Sequence, residues 1–381
     1  MKLHENQLKL LRHLALFGLL DYPSCLDMLD IEKMRNRRAL SYSFRPLTKN
    51  RYLSKRKDGS VAILAKGRTL SPEIKPLLSV GGSTGEIRRV MEVSRMAALL
   101  GEHDVLSSGA LLDTDAPYFI PSACWRKIAP GILSTTRFTG MLMLEDRRIA
   151  VYDIGSGTME WQLRAESSLF YTRYGSYETK ADGMLLVCQE GMRSRVAENI
   201  IRQTMWHRRQ LIRNRNYSEL NRPVRWSHSP IRLRAQYGHV YLTTPAELRE
   251  SIRNIAQEDE YIYEQCGDST PLQDPAQGDY ERWPYRYFLN SATDLLKYVY
   301  YFSAAMALLT MRDNPEFPPS ELNYAIVTRK RDFSILRMYP DVLDMEGAKF
   351  YVYRSEEDPG ADWTLFAGGR RSDAKTALPN V

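Results

Sequence analysis

Over the first 80 residues, apolar positions fall at helical spacing and then give way to two short β-prone runs. In residues 5–20, Leu8, Leu11, Leu14 or Ala15, and Leu19 share one helical face, and Gly18 stands near the end. Pro23 opens a second short helix running through Leu29, because proline fits a first helical turn. A third helical stretch, 37–50, carries Leu40, Phe44 and Leu47 on one face and Arg38, Tyr42 and Arg45 on another. Pro46 should kink it or end it early. Arg51–Lys55 and Ser60–Leu64 then flank Arg56-Lys57-Asp58-Gly59. Asp58-Gly59 predicts a hairpin with a type I′ turn, in which both central residues take positive φ. Three short helices and a hairpin follow the order of a winged helix-turn-helix domain, whose third helix enters the major groove while the hairpin lies along the backbone or minor groove. Leu64–Leu70 reads as the exit strand, with Gly67-Arg68 at its end.

Beyond this module, residues 79–86 (SVGGSTGE) read as a linker. Gly81-Gly82-Ser83-Thr84-Gly85 is not a phosphate loop, since no GK[ST] follows and no apolar strand precedes it. An amphipathic helix is predicted over 87–100. Strands follow at 118–120, 137–144 and 148–154, with Glu145-Asp146-Arg147 as a turn. A helix over 163–174, a buried strand over 183–188 and an Arg-rich helix over 192–214 complete an α/β core. In the last third, Thr244-Pro245-Ala246-Glu247 reads as a capping box, with Thr244 at the N-cap and Glu247 at N3. Residues 265–284 read as loop and 291–312 as an apolar helix, with strands near 323–329 and 348–354. The expected fold class is α+β or α/β multidomain. The segments are a winged helix (1–78), linker and helix (79–116), a nuclease-like core with its Arg-rich helix (117–234), and an acidic mixed α/β region (235–381).

Composition narrows the class. With 381 residues and roughly 100–200 residues per domain, two or three domains are expected. The 43% hydrophobic content excludes wholesale disorder. Cys25, Cys124, Cys188 and Cys266 form no CxxC or CxxxH pair, which argues against zinc or redox chemistry and for buried thiols in a reducing compartment. MKLHENQLKLL lacks a secretory pattern, and the longest near-apolar run, 298–311, falls short of the ~20 residues a bilayer requires. A soluble, cytoplasmic protein without a membrane partner is expected. The net +7 is concentrated in two blocks: residues 1–80 carry +9 and residues 193–234 carry +9, against −3 for 81–192 and −8 for 235–381. Clustered positive charge is the footprint of a polyanion partner.

Two readings of the second block stand side by side. Arg208, Arg209, Arg213 and Arg215, interleaved with Trp206 and Trp226, suit phosphate contact and base stacking. The same block would equally neutralise the acidic last third within the molecule. Elsewhere the chemistry is thin. The six histidines form no HxxxH or HxH cluster, so Tyr171, Tyr174 and Tyr177 lack the metal-binding partners a tyrosine nuclease needs.

The order of winged helix, β-hairpin, helix, strand and helix over residues 5–215 resembles the replication-relaxation family of plasmids and integrative conjugative elements. The resemblance implies a DNA-binding winged helix joined to a core related to PD-(D/E)xK nucleases. Thr139-Gly140 stands where that family carries Pro-Asp, and Val151-Tyr152-Asp153 keeps only the second acid. Ile154–Glu160 matches its Arg-Gly-Thr-Glu segment with an insertion. The following helix offers Arg164, Glu166, Arg173 and Tyr174 but no Lys. An intact site of this kind needs two carboxylates on Mg²⁺ and a Lys beside the attacking hydroxide. Asp153 and Glu160 would be the carboxylates here, while guanidinium cannot serve as the base.

These observations lead to an expected function. The protein would be a non-catalytic accessory factor of a mobile genetic element that binds double-stranded DNA and works beside a relaxase or replication initiator, with no cofactor. DNA contacts would come from Arg37, Arg38, Ser41, Tyr42 and Arg45 at the groove and Lys55, Arg56 and Lys57 on the hairpin. The alternatives are an active Mg²⁺-dependent endonuclease and a transcriptional repressor or protein-docking winged helix.

Overall fold

The computed structural model describes residues 3–31, 37–78, 83–100, 118–128, 137–144, 147–155, 157, 180–202, 239–257, 263–265, 285–299, 301–302, 324–338, 349–353 and 363–366. These are arranged in two compact units, Met1–Asp153 with Ala165–Met184, and Ile154–Arg164 with Leu185–Val381. The architecture is mixed α/β, with three sheets among the described residues. None of the described helices is long and apolar enough to cross a membrane.

The first unit begins with α1 (Glu5–Phe17), β1 (Leu19–Asp21), α2 (Tyr22–Met28), α3 (Arg37–Ser43), α4 (Arg45–Lys49), β2 (Leu53–Lys55), β3 (Ser60–Ile63) and the single turn α5 (Ala65–Arg68). Gly18 ends α1 at φ 83, where a residue with a Cβ would be strained, and its N–H bonds back to Leu14. Asp21 caps α2 by accepting from Ser24 N–H, and Pro23 sits in the first turn as expected. The stretch 37–50 breaks at Phe44 into α3 and α4, because Pro46 cannot donate to the ladder. The three strands order as β1-β3-β2, all antiparallel, with Leu19 opposite Ala62 and Leu53 opposite Ile63. Leu10, Leu14, Leu20, Leu47 and Val61 form the fully buried centre.

Two local details depart from the sequence reading. The hairpin forms, but only Gly59 takes positive φ, at 82, and Gly59 N–H bonds to Arg56 C=O while Arg56 N–H bonds to Ser60 C=O. This is a turn closed by a bulge at glycine rather than a type I′ turn, because Asp58 instead accepts from the Ser60 N–H and hydroxyl. The exit segment is also not a strand. Leu64 caps α5, and Gly67 lies where a Cβ would come within 2.6 Å of the Tyr52 carbonyl.

α6 (Thr84–Leu100) begins inside the stretch read as linker. Ser83 Oγ accepts from Glu86 N–H while the Glu86 carboxylate accepts from Ser83 N–H, so a capping box was hidden among the glycines. Val90, Val93, Met96 and Ala97 turn inward, and the helix packs on α1, α2, β1 and the later strand β4. β4 (Tyr118–Pro121), α7 (Ser122–Ile128), β5 (Gly140–Met143) and β6 (Arg148–Gly155) follow, the strands forming an antiparallel meander. β7 (Gly183–Cys188) lies parallel to β6, since Asp182 N–H bonds to Arg148 C=O and Gln189 N–H to Gly155 C=O. The full sheet order is β4-β5-β6-β7-β8, with β8 at His239–Thr243.

In the second unit, β8 leads into a helix at Leu248–Gln257. β9 (Tyr263–Gln265), β10 (Tyr285–Leu289), β11 (Tyr324–Thr328), β12 (Lys349–Tyr353) and β13 (Trp363–Phe366) order as β13-β12-β11-β10-β9. β10, β11 and β12 are mutually parallel, flanked by antiparallel β9 and β13. The sequence reading anticipated β11 and β12 but not β8, β9, β10 or β13. β7 and β11 exit identically: one extended residue, a three-residue 3₁₀ turn (Glu190–Met192 or Lys330–Asp332), then a helix.

Candidate nucleic-acid interface and the Asp153 centre

Burial of Phe44 and Leu47 fixes the face that α3 and α4 turn outward. Gln7 holds the end of α3 by donating to the Ser43 carbonyl at 2.7 Å. Tyr42 is consequently 76% exposed, a large aromatic surface presented to solvent. Arg45 is exposed and reaches back to Ser41 Oγ at 3.4 Å. Arg37 and Arg38 lie on α3, but their side chains are outside the described residues, as are Arg208, Arg209, Arg213 and Arg215.

The hairpin carries Lys55, Arg56 and Lys57 on its exposed end, and they are not equivalent. Lys55 Nζ stands 3.6 Å over the Tyr22 ring, a cation–π contact that pins it to the start of α2. Hydrogen bonds from Ser60 hold the Asp58 carboxyl below its ordinary range, so the one acid at the tip stays ionised and occupied within the turn.

Asp153, the acid that the resemblance singles out, is paired with an arginine. Both its oxygens accept from Arg95, Nε to Oδ2 at 2.7 Å and Nη2 to Oδ1, in a side-on fork joining α6 to β6. Its side chain is 1% exposed. Glu92, one turn before on α6, has its carboxyl pushed up by burial, partly offset by Arg88 at 2.8 Å. Gly140 stands where the resemblance would put a first acid, and there a Cβ would fall 2.3 Å from the Phe119 ring and 2.5 Å from the Ile120 carbonyl. No acidic side chain fits at that point of β5. Glu160, Arg164, Glu166, Arg173 and Tyr174 lie outside the described residues. Among the described residues, then, the Gly140 position is sterically closed and Asp153 is charge-paired with Arg95.

The second unit holds a polar centre that the sequence reading missed. Arg193 donates from Nε and Nη2 to Asp332, from Nη2 to Thr293 Oγ1 at 2.8 Å, and from Nη1 to Glu247 at 2.6 Å. Burial would lower its pKa, but the charges of Asp332 and Glu247 raise it, so it stays a cation. Nearby, His239 Nδ1 meets Asp294 Oδ2 at 2.7 Å, and Arg329 bonds to Glu250 and to the Ser291 carbonyl. These partners are 38 to 139 residues apart, so no local pattern announces them. The one available signal was the charge balance. Arg193, first of the Arg block, docks on Asp332 and Glu247 of the last third, while Arg208, Arg209, Arg213 and Arg215 lie outside the described residues. The capping box predicted at Thr244 does not form among the described residues: the helix begins at Leu248, Thr244 Oγ1 has no partner, and the Glu247 carboxylate accepts from Arg193.

No protein-family model, curated protein or solved structure matches the chain.

Proposed function

We propose that the chain is a non-catalytic accessory protein of a mobile genetic element that binds double-stranded DNA through an N-terminal winged helix. The observation that carries the reading is the antiparallel β1-β3-β2 sheet, with β1 between α1 and α2 and a basic hairpin joining β2 and β3 after α4. That arrangement, the exposed Tyr42 and Arg45, and the +9 of residues 1–80 support α3 as the groove-reading helix and the hairpin as the wing. The meander β4-β5-β6 with β7 parallel to β6 supports a nuclease-like core, and the closed Gly140 position together with the Arg95–Asp153 pair supports the absence of cleavage.

Fluorescence anisotropy of the full chain with labelled duplex DNA over a salt series tests the proposal. Binding should weaken linearly with log salt, and Arg45→Ala should cost ~1–3 kcal/mol on a preferred site. Absence of binding to any duplex at low salt would sink the reading. Salt-insensitive binding to a protein partner instead would favour the docking alternative.

A further inference from the structure

We infer that the second unit carries an oxyanion site built on Arg331, taking a phosphate group, a role that goes beyond the DNA-binding reading. Arg331 lies in the 3₁₀ turn after β11, at the carboxyl end of a strand with parallel neighbours on both sides. In open α/β sheets ligands gather at that end. Among the described residues its Nη1 alone is paired, at 3.4 Å to Glu247 and 3.4 Å to Glu250. Each of those carboxylates has a closer guanidinium of its own, Arg193 for Glu247 and Arg329 for Glu250.

Arg331 Nε and Nη2 are shielded from solvent and have no hydrogen-bond partner among the described residues, although the side chain as a whole is 20% exposed. Those two donors form one edge of the planar fork. It is the edge with which Arg95 grips Asp153 in the first unit. An unpaired edge of this geometry matches two oxygens of a phosphate or carboxylate.

Two further features select a compact anion. Thr244, 2% exposed and within the same turn as Glu247, has a hydroxyl without a partner. Lys330, next to Arg331, is exposed. A tetrahedral phosphate can accept both donors of the fork on two of its oxygens. Inorganic phosphate and the phosphate of a nucleoside monophosphate share this chemistry.

The test is thermal melting and calorimetric titration of the full chain with inorganic phosphate and, separately, with a deoxynucleoside monophosphate, against chloride at matched ionic strength. Wild type should be stabilised by at least one, and the tighter of the two identifies the source. Arg331→Lys keeps the charge but loses the fork, and should weaken binding about tenfold. Thr244→Val should weaken it less. Unchanged circular dichroism for both variants separates lost binding from lost folding. Equal stabilisation of wild type and Arg331→Lys, or no effect of either anion on wild type, would overturn the assignment. DNA binding by the first unit is measured separately, so failure of one leaves the other standing.

Discussion

Ser194 and Ser334 are the second residues of the helices that follow β7 and β11, and their hydroxyls meet at 2.9 Å. The two strand exits thus meet at equivalent positions. The neighbouring positions break that equivalence: Arg193 is matched by Phe333, and Asp332 by Met192. The buried ion pair is therefore made once, across the junction rather than within either half.

This makes Arg193 a keystone of the second unit. Arg193→Met should lower the unfolding free energy by about 3–5 kcal/mol, because Asp332 and Glu247 lose their shared partner while remaining buried or half-buried. Urea denaturation of wild type and variant gives the number. A loss under about 1 kcal/mol would mean the pair is dispensable.

At the core, Gly140→Asp should not create a metal site. The added atoms collide with the Phe119 ring and the Ile120 carbonyl, so destabilisation of roughly 1–3 kcal/mol is expected. A variant that folds with wild-type stability would show that β5 has room after all.

Arg95 and Asp153 make a companion case. Arg95→Met removes the forked partner of a nearly dry carboxylate and should cost about 3–5 kcal/mol, whereas Arg95→Met with Asp153→Leu should recover most of it. Supercoiled plasmid incubated with the wild-type protein and Mg²⁺ or Mn²⁺ should stay intact. Nicking that disappears in Asp153→Ala would establish the nuclease alternative.

The pH dependence of the second unit should carry the mark of Asp294. Burial alone would raise its carboxyl, but the hydrogen bond and charge of His239 dominate and hold it below the ordinary value of 3.8. A depressed carboxyl contributes stability that is present above its unfolded value and lost as pH falls through the folded one. Asp294→Asn should accordingly be less stable at neutral pH and show a flatter decline on acidification below about pH 4. Denaturant midpoints at several acidic pH values provide the comparison.

On the hairpin, Lys57→Ala and Arg56→Ala should each reduce the salt slope of DNA binding by about one, while Lys55→Ala should change it less. The difference follows from the Tyr22 ring beneath Lys55. Equal slopes for all three would mean that ring does not restrain the ammonium.

What could be read in the sequence was local. Pro23, Pro46 and Gly59 each act on their own turn, so the helix start, the helix break and the hairpin were visible from their types alone. β1 was not, because Leu19–Asp21 is extended only by pairing with Ser60–Ala62 some forty residues on. At Thr244 the local cue pointed the wrong way: the helix begins at Leu248, and the Glu247 carboxylate accepts from a distant arginine. The candidate site divides along the same line. The basic hairpin was legible, whereas the grip of Arg95 on Asp153 joins positions 58 apart in the chain and leaves no trace in either segment.

α6 ties these pieces together. On consecutive residues, Ser94 bonds to the buried His13 of α1 at 2.9 Å and Arg95 clasps Asp153 of β6. A helix gripped on both sides transmits rather than tethers. DNA seated on the N-terminal module would be held at a fixed bearing to the β4–β6 sheet, and a twist applied there would be felt as load on the Arg95 fork. It follows that an N-terminal fragment cut at residue 78 would bare the apolar seat of α6, so the smallest self-sufficient DNA-binding piece should extend to Leu100.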